Sequence, residues 1–227
     1  MSSETLIFDS RGDIVLILNR RSEGSLKSSN PSTTEDAATG SDGLSLTPVN
    51  MLVSSKHMSL ASSVFAAMLK PGLIEGSTLE SNGRVEISLP DDEPDMFAIL
   101  LFIIHGRTRK VPRQVSLDQL TKLSILVDKY QMQEAAGAFA EIWIEGFNVE
   151  DVNPEDLTDV LCWLCISWVF DNTEIFEIAT EYLMRKGDSE FDKDVIDELP
   201  IPEVITRTTL KWLMSQYGLT CSRENTI

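Results

Sequence analysis

The chain has 227 residues, a formal net charge of −17 and 42% apolar residues. That length accommodates one large domain, or one domain with a smaller helical unit, and the apolar share suits a globular core rather than wholesale disorder. The acidic balance opposes nucleic acid or an anionic membrane held by the whole surface, and no run approaches the roughly 20 apolar residues that a spanning helix requires.

The opening Met1-Ser2-Ser3-Glu4-Thr5 has no basic leader, and the apolar run Leu6 to Phe8 is too short for a signal core. Three cysteines, Cys162, Cys165 and Cys221, are too few and too unevenly spaced for a secreted disulfide framework. The expected setting is therefore cytoplasmic, nuclear or both. Residues 1–12 are read as an N-terminal segment. Asp13-Ile14-Val15-Leu16-Ile17-Leu18 is a continuous apolar run rich in β-branched residues, which predicts a buried strand. Between Ser22 and Ser45 the only large apolar residues are Leu26 and Leu44, so this stretch is read as a long flexible insertion. Strand character resumes from Leu46 to Val53, with Pro48 marking an edge or an irregular start.

A Ser/Lys/His turn then leads into two short helical turns, which are expected to expose Leu60, Val64, Phe65, Met68 and Leu69 at helical spacing. Arg84 to Leu89 alternates polar and apolar residues, predicting a strand with one wet face. Pro90-Asp91-Asp92-Glu93-Pro94 breaks it, and its acids favour a helix start near Met96 through capping and the macrodipole. Met96 to Ile104 is apolar all round, as a central helix would be. Further helical stripes are Leu117, Leu120, Leu123, Val127 and Tyr130, then Ala135, Ala138, Phe139, Ile142 and Trp143. Beyond these come Leu157, Leu161, Leu164 and Trp168, and Ile175, Ala179 and Tyr182. Asn172 or Thr173 can cap the last of these, and Gly187 can stop it. A third late helix is predicted from Pro202 to Gly218. From Asp151 onward there are 16 acids against 6 bases, so the final third is a distinctly acidic helical region.

This order resembles a BTB/POZ domain. Asp13 to Leu18 is similar to the family's opening Asp-Val-x-Leu strand, and Lys56-His57-Met58-Ser59-Leu60-Ala61-Ser62-Ser63-Val64-Phe65 to its Lys-x-x-Leu-x-Ser-x-x-Phe signature. Leu89 to Phe97 and Leu100 to Gly106 resemble its strand, acidic turn and helix, while Leu126-Val127-Asp128-Lys129-Tyr130 resembles its Ala-Asp-Lys-Tyr segment. The sequence differs at Ser55, where the family usually has histidine, and at His105, where it usually has tyrosine. The Ser-rich insertion and Trp163 to Phe170 look like BTB-like proteins of filamentous fungi.

The resemblance implies an α+β fold in which a small sheet packs with a cluster of helices over residues 13–147, followed by an all-helical extension over 148–227. It also implies a non-enzymatic protein–protein interaction module, an adaptor or scaffold without catalytic residues or cofactor. Leu60, Val64 and Met68 would serve self-association as a homodimer. Leu73 and Glu75 lie where family members that recruit a cullin scaffold of ubiquitin ligases carry a hydrophobic-x-Glu motif. The competing reading of Leu73-Ile74-Glu75 is a helix-to-strand connection whose leucine packs inward.

Arg107, Arg109, Lys110 and Arg113 form the one concentrated basic run. It suits a phosphate group, an acidic peptide or an import receptor, or it docks onto the chain's own acidic segment after Asp151. An alternative function is therefore a nuclear scaffold in a transcriptional repressor complex. Cys162-Trp163-Leu164-Cys165 has thioredoxin-like spacing, but the pair falls inside a predicted helix, far from the positive end of its dipole, where buried structural thiols are the expectation; a thiol-based enzyme is the third alternative function. His57 and His105 are too few to make a zinc site, although folding could bring them together. Neither a glycine-rich phosphate loop nor a Ser/His/Asp constellation is recognisable.

Overall fold

The apolar run after Asp13 becomes the middle of a sheet. The computed structural model describes residues 4–21, 46–147 and 156–185. Strand β1 is Glu4–Ile7, β2 is Ile14–Arg21, β3 is Leu46–Val53 and β4 is Val85–Leu89, hydrogen-bonded in the order β1-β3-β2-β4. Among the described residues, eight helices accompany this mixed sheet, an α+β architecture.

Strand β2 pairs antiparallel with β3, Ile14 opposite Val53 and Arg21 opposite Leu46, and parallel with β4, Ile14 opposite Val85 and Leu18 opposite Leu89. Burial of Ile14, Val15, Leu16 and Leu18 explains why the run does not alternate: a strand covered on both faces has no wet side to mark. In β4 the alternation is kept, with Val85 and Ile87 buried and Glu86 and Ser88 exposed.

Residues Glu4–Ile7 form a strand that the sequence reading left unassigned. It pairs parallel with β3, from Glu4 opposite Val49 to Ile7 opposite Leu52. Four residues carry too short a period to register as a pattern. Strand β3 is therefore interior rather than an edge from Val49 to Leu52. Pro48 lies just outside that pairing, with only Asn19 of β2 opposite it among the described residues, so its missing N–H costs no ladder bond on the β1 side.

Two short helices follow, α1 (Ser55–Ala61) and α2 (Ser63–Met68), and then α3 (Ile74–Asn82), a helix that the sequence does not predict. Its apolar pattern is too weak to announce a helix. What ends it is legible, because Gly83 takes a left-handed φ of 68° and its N–H returns to the Leu79 carbonyl.

Helix α4 (Pro94–Ile104) starts two residues earlier than predicted, and with no side-chain cap. Pro94 occupies the first turn instead, where its missing N–H is harmless. Helix α5 (Leu117–Tyr130) has the reciprocal cap that its sequence permits: the Ser116 hydroxyl accepts from Gln119 N–H at 3.2 Å, and Gln119 Oε1 accepts from Ser116 N–H at 3.0 Å. The predicted stripe of α5 faces inward as expected.

Two later stripes need correction. In α6 (Gln133–Glu145) the buried positions are Ala136, Ala140 and Trp143, while Ala138 and Ile142 face out. With alanine at four positions, hydrophobicity does not distinguish one face from the next. In α7 (Leu157–Val169) Trp168 is 43% exposed, and the buried face instead holds Val160, Leu161, Trp163, Leu164 and Cys165. Helix α8 (Thr173–Arg185) buries Ala179 and Leu183, and Asn172 caps it by accepting from Ile175 N–H at 3.0 Å.

Helix α7 packs along α5 and α8 against α7, and one apolar core runs from Phe8 of the N-terminal segment to Leu183. The Ser22–Ser45 insertion, the Gly187 stop, the Pro202 to Gly218 helix and Cys221 lie outside the described residues.

Candidate interaction surfaces

Three separate stretches of sequence meet at Tyr130. Its hydroxyl donates to Asp92 Oδ2, and Lys129 Nζ lies 2.6 Å from Asp92 Oδ1, so a buried carboxylate from the acidic turn is held by the end of α5. Burial, followed by the hydrogen bond to Asp92 and that carboxylate's charge, pushes the phenol upward, and Tyr130 stays a donor. The Tyr130 carbonyl accepts from the Ser62 hydroxyl, and the same Ser62 oxygen caps α2 by accepting from Phe65 N–H at 3.1 Å. The Phe65 ring stacks on Tyr130 at 5.1 Å, with Phe97 of α4 edge-on at 5.3 Å.

A second junction fixes the start of α1. Asp13 Oδ1 accepts from Ser55 N–H at 2.7 Å and Oδ2 from the Ser55 hydroxyl at 2.6 Å, so the carboxylate just ahead of β2 supplies the helix cap that Ser54 does not. Beside it, Ser54 N–H donates to His105 Nε2 at 3.2 Å while His105 Nδ1 donates to the Leu101 carbonyl at 3.0 Å. That pair of contacts requires the neutral ring with its proton on Nδ1. Burial above all holds His105 below the ordinary histidine value; His57 and Arg107 act in the same sense, and Leu101 and Asp9 oppose them. The His57 ring stacks on His105 at 5.0 Å. Folding does bring the two histidines together, but among the described residues no group of three or more His, Cys, Asp or Glu side chains is placed to hold a metal ion.

The residues predicted for self-association divide into two kinds. Leu60 is 88% exposed, whereas Val64 and Met68 are half-buried against the core. Phe65, expected on the same exposed face, is fully buried. Helical spacing showed which residues share a face but not that α2 turns this one toward Tyr130. Leu73 is 49% exposed at the N-cap of α3, Ile74 is 82% exposed, and Glu75 is half-buried in the first turn, where its charge suits the helix dipole. Leu73 therefore does not pack wholly inward as a plain connection would have it.

The basic run is folded rather than free. Arg107 Nη1 donates to the Ile7 carbonyl at 2.9 Å, Lys110 sits 5.3 Å over the Phe102 ring, Val111 is buried and the Pro112 carbonyl accepts from Trp143 Nε1 at 2.8 Å. Thr108–Lys110 forms a 3-10 turn between these anchors.

Both cysteines of α7 sit within the helix, Cys165 buried and Cys162 half-buried, and desolvation pushes both thiols upward. For Cys162 a hydrogen bond with Thr121 pulls the other way. Both shifts favour the protonated thiol over the thiolate. Among the described residues no helix is long and apolar enough to cross a membrane. No protein-family model matches the chain, and no curated protein matches it.

Proposed function

We propose that the chain is a protein–protein interaction module of the BTB/POZ type, which self-associates through α1 and offers the start of α3 to a cullin scaffold. The observation that carries this reading is the exposure of Leu60 on α1 and of Leu73 and Ile74 at the start of α3, two helices that are anchored at Met58 and at Gly76. Among the described residues no buried side-chain polar atom lacks a partner, and Met58 and Phe65 are fully buried beneath the same segment. Aliphatic groups left outside such a frame have the character of interface anchors.

The family assignment draws support from the way the motif stretches converge. Ser62 and Phe65, Asp92, and Lys129 with Tyr130 come from three segments quoted for the resemblance, and they meet at the buried Tyr130, with Lys129 reaching Asp92 from the surface. Asp13 at the head of β2 binds Ser55, the position at which the sequence departs from the usual histidine.

In the cullin contact Leu73 is the apolar anchor and Glu75 the charge that orients it. A binding assay with purified full-length chain and purified cullin scaffolds tests this directly. Binding by the parent that falls about tenfold or more in Leu73→Ala combined with Glu75→Ala, as expected of a hot-spot pair, supports the contact. Absence of binding by the parent removes it.

A further inference from the structure

We infer that the surface between the 3-10 turn and α6 is a docking site for an acidic peptide segment of a partner protein, separate from the α1 and α3 surfaces. Thr108, Arg109, Val111, Pro112, Arg113, Phe139 and Ile142 line a hollow of about 260 Å³ there. It lies below the roughly 300–1,000 Å³ range of small-molecule clefts and suits one or two apolar side chains. Ile142, 47% exposed, and Phe139 give it an apolar wall.

The charges around it are what identify the occupant. In a chain of net charge −17, Arg109 and Arg113 are exposed, and among the described residues neither has an ion-pair or hydrogen-bond partner. Their neighbours in the run are all committed: Arg107 to the Ile7 carbonyl, Lys110 to the Phe102 ring, and the Pro112 carbonyl to Trp143. These anchors hold the backbone, so both guanidinium groups are presented from a fixed segment instead of a loose tail. Two unpaired guanidinium groups beside an apolar hollow match carboxylates that flank a leucine or an aromatic side chain. A short peptide experiences mainly the local field, because charges are screened over about 8–10 Å at physiological salt. A nucleic acid would extend over the acidic remainder and be repelled.

The test uses the full-length chain and fluorescein-labelled peptides in which a Leu-Phe pair is flanked by glutamates at graded spacing. A matching series has glutamine in place of glutamate. The expected result is saturable binding in the glutamate series, weakened about tenfold or more by Arg109→Glu with Arg113→Glu, and weakened also by Ile142→Asp. Arg84→Glu, an exposed reversal just ahead of β4, leaves binding unchanged. Thermal unfolding midpoints equal to the parent's confirm that these surface variants are folded. Failure of every glutamate peptide to bind, equal binding by the glutamine series, or unchanged affinity in the double reversal overturns the proposal. So does tighter binding of a single-stranded oligonucleotide at the same arginines. With Ile142→benzoylphenylalanine as a photocrosslinker, capture of only this chain's own acidic residues would assign the hollow to an internal contact and overturn it as well.

Discussion

Tyr130 donates its hydroxyl proton to Asp92, a carboxylate buried at the turn between β4 and α4, and thereby fastens the end of α5 to the start of the central helix. Tyr130→Phe keeps the ring stacked on Phe65 but leaves Asp92 Oδ2 without this donor. Urea unfolding should show a loss of about 1–3 kcal/mol, the cost of stripping a partner from a buried polar group. Lys129→Met should cost less, because the Lys129 side chain is 48% exposed and water replaces part of what Asp92 loses. A Tyr130→Phe variant as stable as the parent would show that the contact contributes nothing.

Stability should depend on pH through His105. Its folded value lies below the ordinary 6.5, so between the two values the unfolded chain binds more protons than the folded one. The contribution is complete above about pH 6.5 and is lost as pH falls toward the folded value. Protonation also abolishes the acceptor that Nε2 offers to Ser54 N–H. Denaturant midpoints followed from pH 7.5 to 5 should therefore fall in the parent and fall less steeply in His105→Phe. Equal slopes for the two proteins would refute the assignment.

Helix α3 is seated by a close backbone approach at Gly76. A Cβ there would lie 2.1 Å from the Lys70 carbonyl oxygen, and backbone cannot swing aside as a side chain can. Gly76→Ala should destabilise the fold by about 1–3 kcal/mol, the usual range for overpacking, and displace Leu73 and Glu75 with the helix. Thermal unfolding reads the first effect; any cullin binding found for the parent reads the second. Gly137→Ala is the control, since nothing lies within 4 Å of the added carbon. Equal unfolding midpoints for both variants would contradict the close approach.

What was legible in the sequence was what periodicity and punctuation encode. The strand after Asp13, the central helix, the stripe of α5 and the Asn172 cap all follow from local pattern. Strand β1 and helix α3 did not show because each is short and neither has a contrasting face. The face of α6 was ambiguous among alanines, and Phe65 was placed outside because its burial is decided by Tyr130, 65 positions further on. The chemistry at Asp92 was hidden for a related reason. An acidic turn reads as solvated until α5 is known to return Lys129 and Tyr130 to it. The same holds for the basic run, whose composition was plain but whose division into anchored and outward-facing cations required the contacts of Ile7, Phe102 and Trp143.

Self-association through α1 is read by light scattering coupled to size exclusion. The full-length protein should elute as a dimer at micromolar concentration, and Leu60→Asp, at a position 88% exposed and so tolerant of charge in the monomer, should shift it to a monomer with an unchanged unfolding midpoint. A parent protein that stays strictly monomeric as its concentration is raised would rule out self-association through α1.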